Sequence, residues 1–510
     1  MNLITSAAFV GEDLQTEYGN IPPSFLPIKN GRLFEQQRKL FPLEEKIYIS
    51  LPESFNVSDI DLKLLKKNNF EIVNIPSNKS LSDSIIYALN TINLIDESLF
   101  ILHGDTLFKE ILKRTDVFGL SHSIDNYCWD RVNGEDGLVY SGFFSFSCQN
   151  TLIKSLQDSD FIKGLEKYKN LISVDLVEYK NWYDCGHSNT YFRTKKEFTT
   201  EREFNDLKIS DYSVTKTSNN TTKINAELNW FNNLPKELKK FIPSIIDYGY
   251  NENGLAFYEI EFYPYSNLSE LYVFGNNESY VWRKIISKIF EFIEISSKIS
   301  VDKIAVDFNS IINLYEKKTY ERLNDYSEKT GVDLNSKWKI NNQITPSIND
   351  IVKILLTRIK KFDTEFYQII HGDLCFSNIL YSFRNQTIKV IDPRGLDEKG
   401  NRTVFGDLRY DLSKLTHSII GLYDFIIAGR FEYSENSSYD INFKIYKSRN
   451  IKKIQKNFLK INFNGKSLKD YNVLEIQILL FLSMLPLHSD NPNRQKALLV
   501  NALRLFNDLK

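Results

Sequence analysis

The stretch Ile369–Gly395 reads IIHGDLCFSNILYSFRNQTIKVIDPRG, and its reading decides the rest of the chain. Short apolar runs bracket it, Tyr367–Ile370 before and Ile388–Ile391 after, each a buried-strand pattern. Between them stand His371, Gly372, Asp373 and, five residues after Asp373, Asn378. Asp392 follows the second run directly. Transfer of a phosphoryl group from ATP needs these three polar side chains in this order. Asp373 would accept the proton of an attacking hydroxyl, while Asn378 and Asp392 would hold Mg²⁺ against the ATP phosphates. Asp, Asn and Gly also fill ordinary turns. Five matched positions in strand context favour the chemical reading over the turn.

The motif resembles that of the aminoglycoside phosphotransferase and choline kinase family. Gly372 stands where protein kinases carry Arg, and Asp392-Pro393-Arg394 where they carry Asp-Phe-Gly. The resemblance implies a protein-kinase-like fold that phosphorylates small molecules with ATP. In that frame Tyr212–Lys216, YSVTK, reads as a strand ending in Lys, and Lys223–Phe231 opens a helix that carries Glu227. A strand Lys paired with a helix Glu grips the nucleotide phosphates, so Lys216 and Glu227 are the expected pair. Lys223, four residues before Glu227, offers an exposed i,i+4 pair instead. No G-x-G-x-x-G precedes Lys216, and small-molecule kinases of this type often lack that loop. Leu255–Phe262 is a strand and Tyr263–Leu271 a turn entering a helix. This resembles the hinge between kinase lobes, where the backbone from Glu261 to Tyr263 would hydrogen-bond adenine; a plain strand–turn–helix junction would read the same. Val404–Leu415 resembles the family's G-D-x-x-x-D segment, with Asp411 expected to brace the catalytic loop. Trp282–Ile299 and Ile348–Phe362 have amphipathic helical spacing, and the last hundred residues read as mainly helical. His417 and His488 are isolated and read as structural.

Composition sets the outer limits. A chain of 510 residues exceeds one ordinary core and predicts two or three domains. With 64 Lys+Arg against 65 Asp+Glu, the balance gives no footprint for nucleic acid or a membrane surface. The cysteines, Cys128, Cys148, Cys185 and Cys375, are scattered without a C-x-x-C, which points away from zinc and disulfides and toward a reducing compartment. The N-terminal MNLITSAAFVGEDL lacks a basic region and reads as a first buried strand rather than a signal peptide. The apolar stretch Ile476–Leu487 is shorter than the roughly 20 residues that span a bilayer. A cytoplasmic enzyme is expected, with small molecules and nucleotides as partners, no nucleic acid and no membrane insertion. Oligomeric state is left open.

The first two hundred residues alternate strand and helix patterns. Lys46–Leu51, Glu71–Pro76, Ser98–Leu107 and Val139–Phe146 are strands, and Ser82–Ile95 is a helix. Alternation of this kind builds a layered α/β domain whose functional residues sit at the carboxyl ends of strands; Asp105 is so placed. Four segments resemble the sugar-phosphate nucleotidyltransferase family in its order: IPPSFLPIKNGRL (Ile21–Leu33), HGDT (His103–Thr106), VYSGFFSFS (Val139–Ser147) and WYDCG (Trp182–Gly186). The resemblance implies a Rossmann-like mixed sheet. It also implies that Asp105 and Asp184 hold one Mg²⁺ at the α-phosphate of a nucleoside triphosphate while a substrate phosphate attacks. The family's G-x-G-x-R loop is here Ser6-Ala7-Ala8-Phe9-Val10-Gly11-Glu12, and Pro23 stands where the family has Lys. Lys29, Arg32 or a member of His187–Arg193 could replace the lost cations, and the sequence does not choose. Read without the family, Asp105 and Asp184 are turn carboxylates.

The fold class expected is therefore an α/β, nucleotidyltransferase-like domain over residues 1–200 and an α+β, protein-kinase-like domain over residues 206–510. The charged run Glu197–Asn205 joins them. The pair would first phosphorylate a hydroxyl of an amino alcohol or sugar with Mg²⁺ and ATP. It would then couple that phosphate to a second nucleoside triphosphate, CTP ahead of UTP, GTP or dTTP, and release pyrophosphate. Capsule or lipopolysaccharide precursor synthesis uses such pairs of steps. Two other classes compete. One is a kinase whose N-terminal domain is an inactive binding or scaffold module, which the lost glycine loop favours. The other is a non-enzymatic pseudokinase pair, which the complete set of Asp373, Asn378 and Asp392 disfavours.

Overall fold

Runs such as IYISLP, FEIVNI and LFILH have apolar residues on both faces, the pattern of strands covered on two sides. The computed structural model describes the chain except for residues 95–96, 124, 126, 128–136, 200, 203–204, 300–312, 360–363 and 510. It divides into two units: Met1–Thr199 with Phe274–Asn276, and Thr200–Val273 with Asn277–Lys510. Cys128, Ile95 and Phe362 lie outside the described residues; the helices expected to reach Ile95 and Phe362 end earlier, at Ile92 and Arg358.

The first unit holds a seven-stranded sheet. Its strands are β1 (Asn2–Thr5), β2 (Ile47–Pro52), β3 (Phe70–Ile75), β4 (Leu99–His103), β6 (Val117–His122), β7 (Leu138–Phe146) and β8 (Asp175–Glu178), in the order β8-β6-β7-β4-β1-β2-β3. β1 pairs parallel with β2 and β4, β2 with β3, and β8 with β6. β7 runs antiparallel between β4 and β6, which makes the sheet mixed. Leu3, Ile101, Phe118, Phe144 and Phe146 of the sheet bury with Ile85 and Leu89 of helix Leu81–Ile92, Leu152 of helix Gln149–Leu156 and Leu165 of helix Phe161–Lys169. The helix expected to begin at Ser82 starts one residue earlier, because Ser80 is its cap and accepts the Asp83 N–H at 3.1 Å. It ends at Asn93, whose φ of 55° is left-handed.

Ser98–Leu107 reads as one strand but is two. β4 stops at His103, and β5 (Thr106–Phe108) leaves the sheet to pair antiparallel with β9 (Trp182–Asp184). Gly104 makes the break possible. A Cβ there would stand 2.8 Å from the Thr5 carbonyl and from Ser6, so only glycine lets the ends of β1 and β4 approach so closely. Asp105 is left in the gap between β4 and β5.

The second unit begins with a five-stranded antiparallel sheet. Its strands, β10 (Glu201–Arg202), β11 (Asn205–Ile209), β12 (Ser213–Ser218), β13 (Ile245–Tyr250) and β14 (Ala256–Glu261), lie in the order β10-β11-β12-β14-β13. Helix α1 (Thr221–Asn233) follows β12. Lys216 does not end its strand, as the sequence suggested, but stands two residues before the end of β12. The remainder is mostly helical, with small sheets around the His371–Asp392 segment: β15 (Ser266–Asn267) pairs with β17 (Ile379–Ser382), β17 with β18 (Thr387–Val390), and β16 (Tyr367–Ile369) with β19 (Phe405–Asp407). Helix α2 (Lys317–Thr330), helix α3 (Leu408–Ile419) and the apolar helix α4 (Val473–Ser483) contribute to the larger core or the site. Nine residues of α4 are buried, which an all-apolar helix requires. The last hundred residues are less purely helical than they read, since Phe431–Ser437 and Asp440–Ile445 form a hairpin. Its alternation is legible in FEYS and INFKI, but the polar turn between hides it.

One buried ion pair anchors the first unit. Arg32 meets Asp61 side-on, Nε to Oδ1 at 3.3 Å and Nη2 to Oδ2 at 3.0 Å, and Nη1 donates to the Phe25 carbonyl at 2.7 Å. Both side chains are buried. Asp61→Ala should lower the unfolding free energy of this unit by about 3–5 kcal/mol, because it strands a buried guanidinium. Urea unfolding measures it. The double variant Arg32→Met, Asp61→Leu should recover most of the loss, and an Asp61→Ala protein as stable as the wild type would refute a structural role for the pair.

Candidate active sites

The segment after β16 turns sharply at Gly372, whose φ is 78°. His371 is fully buried, and burial pushes its imidazole down to about 4, so the ring is neutral. Its Nδ1 accepts the Asp373 N–H at 3.3 Å, which assigns the proton to Nε2, and Nε2 donates to the Ile391 carbonyl at 2.9 Å. His371 thereby ties the turn to the end of β18. Asp411, on α3, accepts the His371 and Gly372 N–H groups at 2.7 and 2.8 Å. It lies behind the turn, and burial pushes its carboxyl up to about 7.

Asp373 and Asn378 are brought together. Asn378 Nδ2 donates to Asp373 Oδ2 at 3.0 Å and to the Asp373 carbonyl at 2.9 Å. Asp392 follows β18 with φ of 55°. A left-handed residue directly before proline departs from the extended conformation that Pro favours, and such strain collects at functional sites. Lys216 Nζ holds Asp392 Oδ1 at 3.0 Å and Glu227 Oε2, on α1, at 2.7 Å. Tyr258 OH donates to the same Glu227 oxygen at 2.7 Å. Burial works against the Lys216 ammonium, but Asp392 and Glu227 outweigh it and keep it above its usual range. Lys223 reaches Glu227 at 3.9 Å from a half-exposed position, a longer contact than that of Lys216. At the end of β14 the Glu261 N–H is used by the Ser244 carbonyl. Among the described residues the Tyr263 N–H has no protein acceptor, while its hydroxyl donates to Glu261 Oε2 at 2.7 Å.

Sequence reasoning missed Lys414. It lies on α3, three residues after Asp411 and so on the same helix face. Its Nζ stands 2.8 Å from Asp373 Oδ1. Burial would raise the Asp373 carboxyl, yet Lys414 outweighs it and holds it below the usual range. The signal was present in YDLSKL, as a second charged residue on the face that Asp411 presents to the turn.

In the first unit Asp105 and Asp184 are also brought together. The Asp105 carbonyl accepts the Cys185 N–H at 2.7 Å, and β5 and β9 set Asp184 opposite Thr106. A Cβ on Gly186 would stand 2.7 Å from Asp105 Oδ2 and 3.3 Å from Asp184 Oδ1. The two carboxylates therefore face a space that glycine keeps open. Burial first, and the Asp184 charge second, hold the Asp105 carboxyl above the usual range. His187 Nδ1 lies 3.0 Å from Asp184 Oδ2, and its ring stacks on Tyr127 with centroids 3.9 Å apart. Among the described residues no three His, Cys, Asp or Glu side chains form a metal cage. A pair of carboxylates facing open space fits Mg²⁺, which takes one or two carboxylates and completes its shell from water and phosphate.

Of the candidate replacement cations His187 stands at Asp184, while the others are engaged elsewhere. Arg32 is spent on Asp61 and Phe25, Arg193 grips both oxygens of Asp125 at 3.0 and 3.1 Å, and Lys29 lies over the Phe198 ring at 4.8 Å. In the loop after β1 the Ser6 N–H donates to the Ser50 carbonyl and the Val10 N–H to Ile21, so neither amide is open to a phosphate.

A pH effect follows from Asp411. Its folded-state value, about 7, lies above the 3.8 of the free side chain. Its contribution to stability is therefore full below about pH 3.8 and is lost as pH rises through about 7. The second unit of the wild type should lose more stability between pH 5 and 8 than Asp411→Asn does, whatever the offset between them. Urea midpoints at the two pH values measure this. Equal slopes would contradict it.

No protein-family model matches the sequence, and no curated protein does. Solved structures do match. One is a UDP-glucose pyrophosphorylase complexed with UDP-glucose, 14% identical, covering 39% of this chain and 98% of that one at a TM-score of 0.31. Another is the CTP:phosphocholine cytidylyltransferase of Streptococcus pneumoniae, 16% identical, covering 38% of this chain and 97% of that one at a TM-score of 0.30. A third is the GDP complex of an aminoglycoside 2'-phosphotransferase, 14% identical, covering 61% of this chain and 91% of that one at a TM-score of 0.38. The chain is thus similar to nucleotidyltransferases over its N-terminal part and to aminoglycoside phosphotransferases over the larger share. Likeness at this level leaves substrate and chemistry to the geometry of the two sites.

Proposed function

We propose that the chain is a bifunctional transferase, with a small-molecule kinase over residues 206–510 and a nucleotidyltransferase over residues 1–200. The observation that carries the kinase reading is the placement of Lys216 between Glu227 and Asp392, with Asp373 and Asn378 in mutual hydrogen bond. In this reading Asp373 accepts the proton of the acceptor hydroxyl, and Lys216 positions the ATP phosphates while Glu227 fixes its ammonium. Asn378 and Asp392 hold Mg²⁺, which neutralises charge on the phosphates. The Tyr263 N–H, open to a ligand, and the Glu261 backbone meet the adenine. The acceptor hydroxyl belongs to an amino alcohol or a sugar. The first unit couples the new phosphate to a second nucleoside triphosphate, CTP first among the candidates, with Asp105 and Asp184 holding Mg²⁺ and pyrophosphate leaving. The products suit the building of surface polysaccharide precursors in the cytoplasm.

A second reading, a kinase with an inactive nucleotidyltransferase-like module, draws on the loop after β1. Its Ser6 and Val10 amides are already bonded, and Arg32 is committed to Asp61.

Asp373→Asn should keep ATP binding and lower phosphoryl transfer by about 10²–10⁴-fold, the worth of a positioned base. ADP release with a panel of hydroxyl compounds checks this, and wild-type turnover would remove Asp373 from the role.

Asp105→Ala should abolish pyrophosphate release and spare ADP release. A wild-type protein that phosphorylates an acceptor yet releases no pyrophosphate with CTP, UTP, GTP or dTTP would decide for the inactive module.

A further inference from the structure

The charge on the acceptor side of Asp373 is not what an amine substrate needs. Arg394 lies against the catalytic turn, since a Cβ on Gly372 would stand 2.6 Å from Arg394 Cβ. Its guanidinium is 5.6 Å from the centre of the Tyr410 ring, and the Lys414 ammonium is 6.0 Å from the same centre. The Tyr315 ring, at the start of the segment leading into α2, is 6.4 Å from the Tyr410 ring. One turn further along come Lys318 and Arg322, four residues apart on one face of α2. Burial first, and the neighbouring Arg394 charge among the further causes, hold both below their usual ranges.

Two carboxylates meet this group. Asp373 pairs with Lys414, and Glu398 pairs with Arg394. Arg322 donates only to the Ser483 carbonyl, at 3.0 Å, and Lys318 makes no hydrogen bond or ion pair among the described residues. Four cations against two carboxylates leave an excess of positive charge beside the base. Partly buried cations without counter-charge are costly in the free protein, and an anion from the ligand relieves them. A cationic headgroup would meet like charge there, which specificity sites use to reject a ligand.

We propose that the acceptor phosphorylated at Asp373 carries, beside its hydroxyl, an anionic group, a carboxylate or a phosphate, that Arg394, Lys318 and Arg322 receive. This rests on the kinase reading but departs from its acceptor class, replacing the amino alcohol or plain sugar by a hydroxy acid or a phosphorylated polyol. In the reaction the acceptor oxygen forms a bond to the γ-phosphorus, the bond from that phosphorus to the β,γ-bridging oxygen breaks, ADP leaves and the hydroxyl proton passes to Asp373.

The test is ADP release by the full chain with Mg-ATP and four matched probes: glycerate, glycerol 3-phosphate, glycerol and choline. An anionic probe should exceed glycerol and choline by about tenfold or more in kcat/KM, and the better of glycerate and glycerol 3-phosphate tells carboxylate from phosphate. Lys318→Met and Arg322→Gln should each raise the KM of that probe by about ten- to a hundredfold, with the KM for ATP moving less than about twofold. Preference for choline or glycerol would overturn the proposal and leave the kinase reading standing. So would a rise in the ATP KM in place of the acceptor KM, since the cations would then serve the nucleotide. No ADP release with any probe, at a protein concentration where Mg-ATP binding is also undetectable by calorimetry, would overturn the kinase reading and this inference together.

Discussion

The ammonium of Lys216 is the point on which the second unit turns. It stands in β12, reaches Glu227 in α1 and reaches Asp392 after β18, so one cation joins three elements far apart in sequence. Glu227 is pushed up by burial, while Lys216 itself is held up by its two carboxylates. Glu227 Oε2 accepts from both Lys216 and Tyr258 at 2.7 Å, one donor for each of its lone pairs. The three groups carry a net negative charge. That remainder lies at Asp392, the more exposed partner. Remove Lys216 and the buried Glu227 loses its cation while Asp392 loses its tie to β12, so its loss would disorder the site.

The parts of this site that follow one another in the chain were legible in the sequence. Asp373 and Asn378 sit on one turn, Asp392 follows the second strand of the hairpin that comes next, and the Ile391 N–H bonded to the Asn378 carbonyl at 3.0 Å brings the two together. Lys216 was legible for a partly mistaken reason, since it lies within β12 rather than at its end. What mattered was that alternate strand residues face the same way, and Lys216 is buried on the face it shares with Ser218. Lys414 and Arg394 were not singled out. Their role depends on how α3 and the Asp392 turn pack on Gly372, and no local period reports that. The same holds for Arg32. As a lone Arg after a glycine it reads as a free cation, and only the position of Asp61, 29 residues on, makes it structural. Gly186 was quoted only as the end of WYDCG, and its importance is a distance to two carboxylates that adjacency in sequence cannot give.

The two sites share one electrostatic problem and answer it differently. Each brings two carboxylates close together in a partly buried place. In the second unit Lys216 and Lys414 already stand within 3.0 and 2.8 Å of Asp392 and Asp373, so fixed cations accompany the carboxylates before any ligand arrives. In the first unit His187 is the cation-capable partner of Asp184, and the carboxylate hydrogen bond is the main reason its imidazole is held above the usual range. Arg32 and Arg193 are bound to Asp61 and Asp125. Charge compensation at the Asp105 and Asp184 pair therefore rests on His187 among these candidate cations, against two lysines in the second unit. The lost glycine loop acts in the same direction. With the Ser6 and Val10 amides committed to Ser50 and Ile21, two backbone dipoles of that loop are unavailable to an anion.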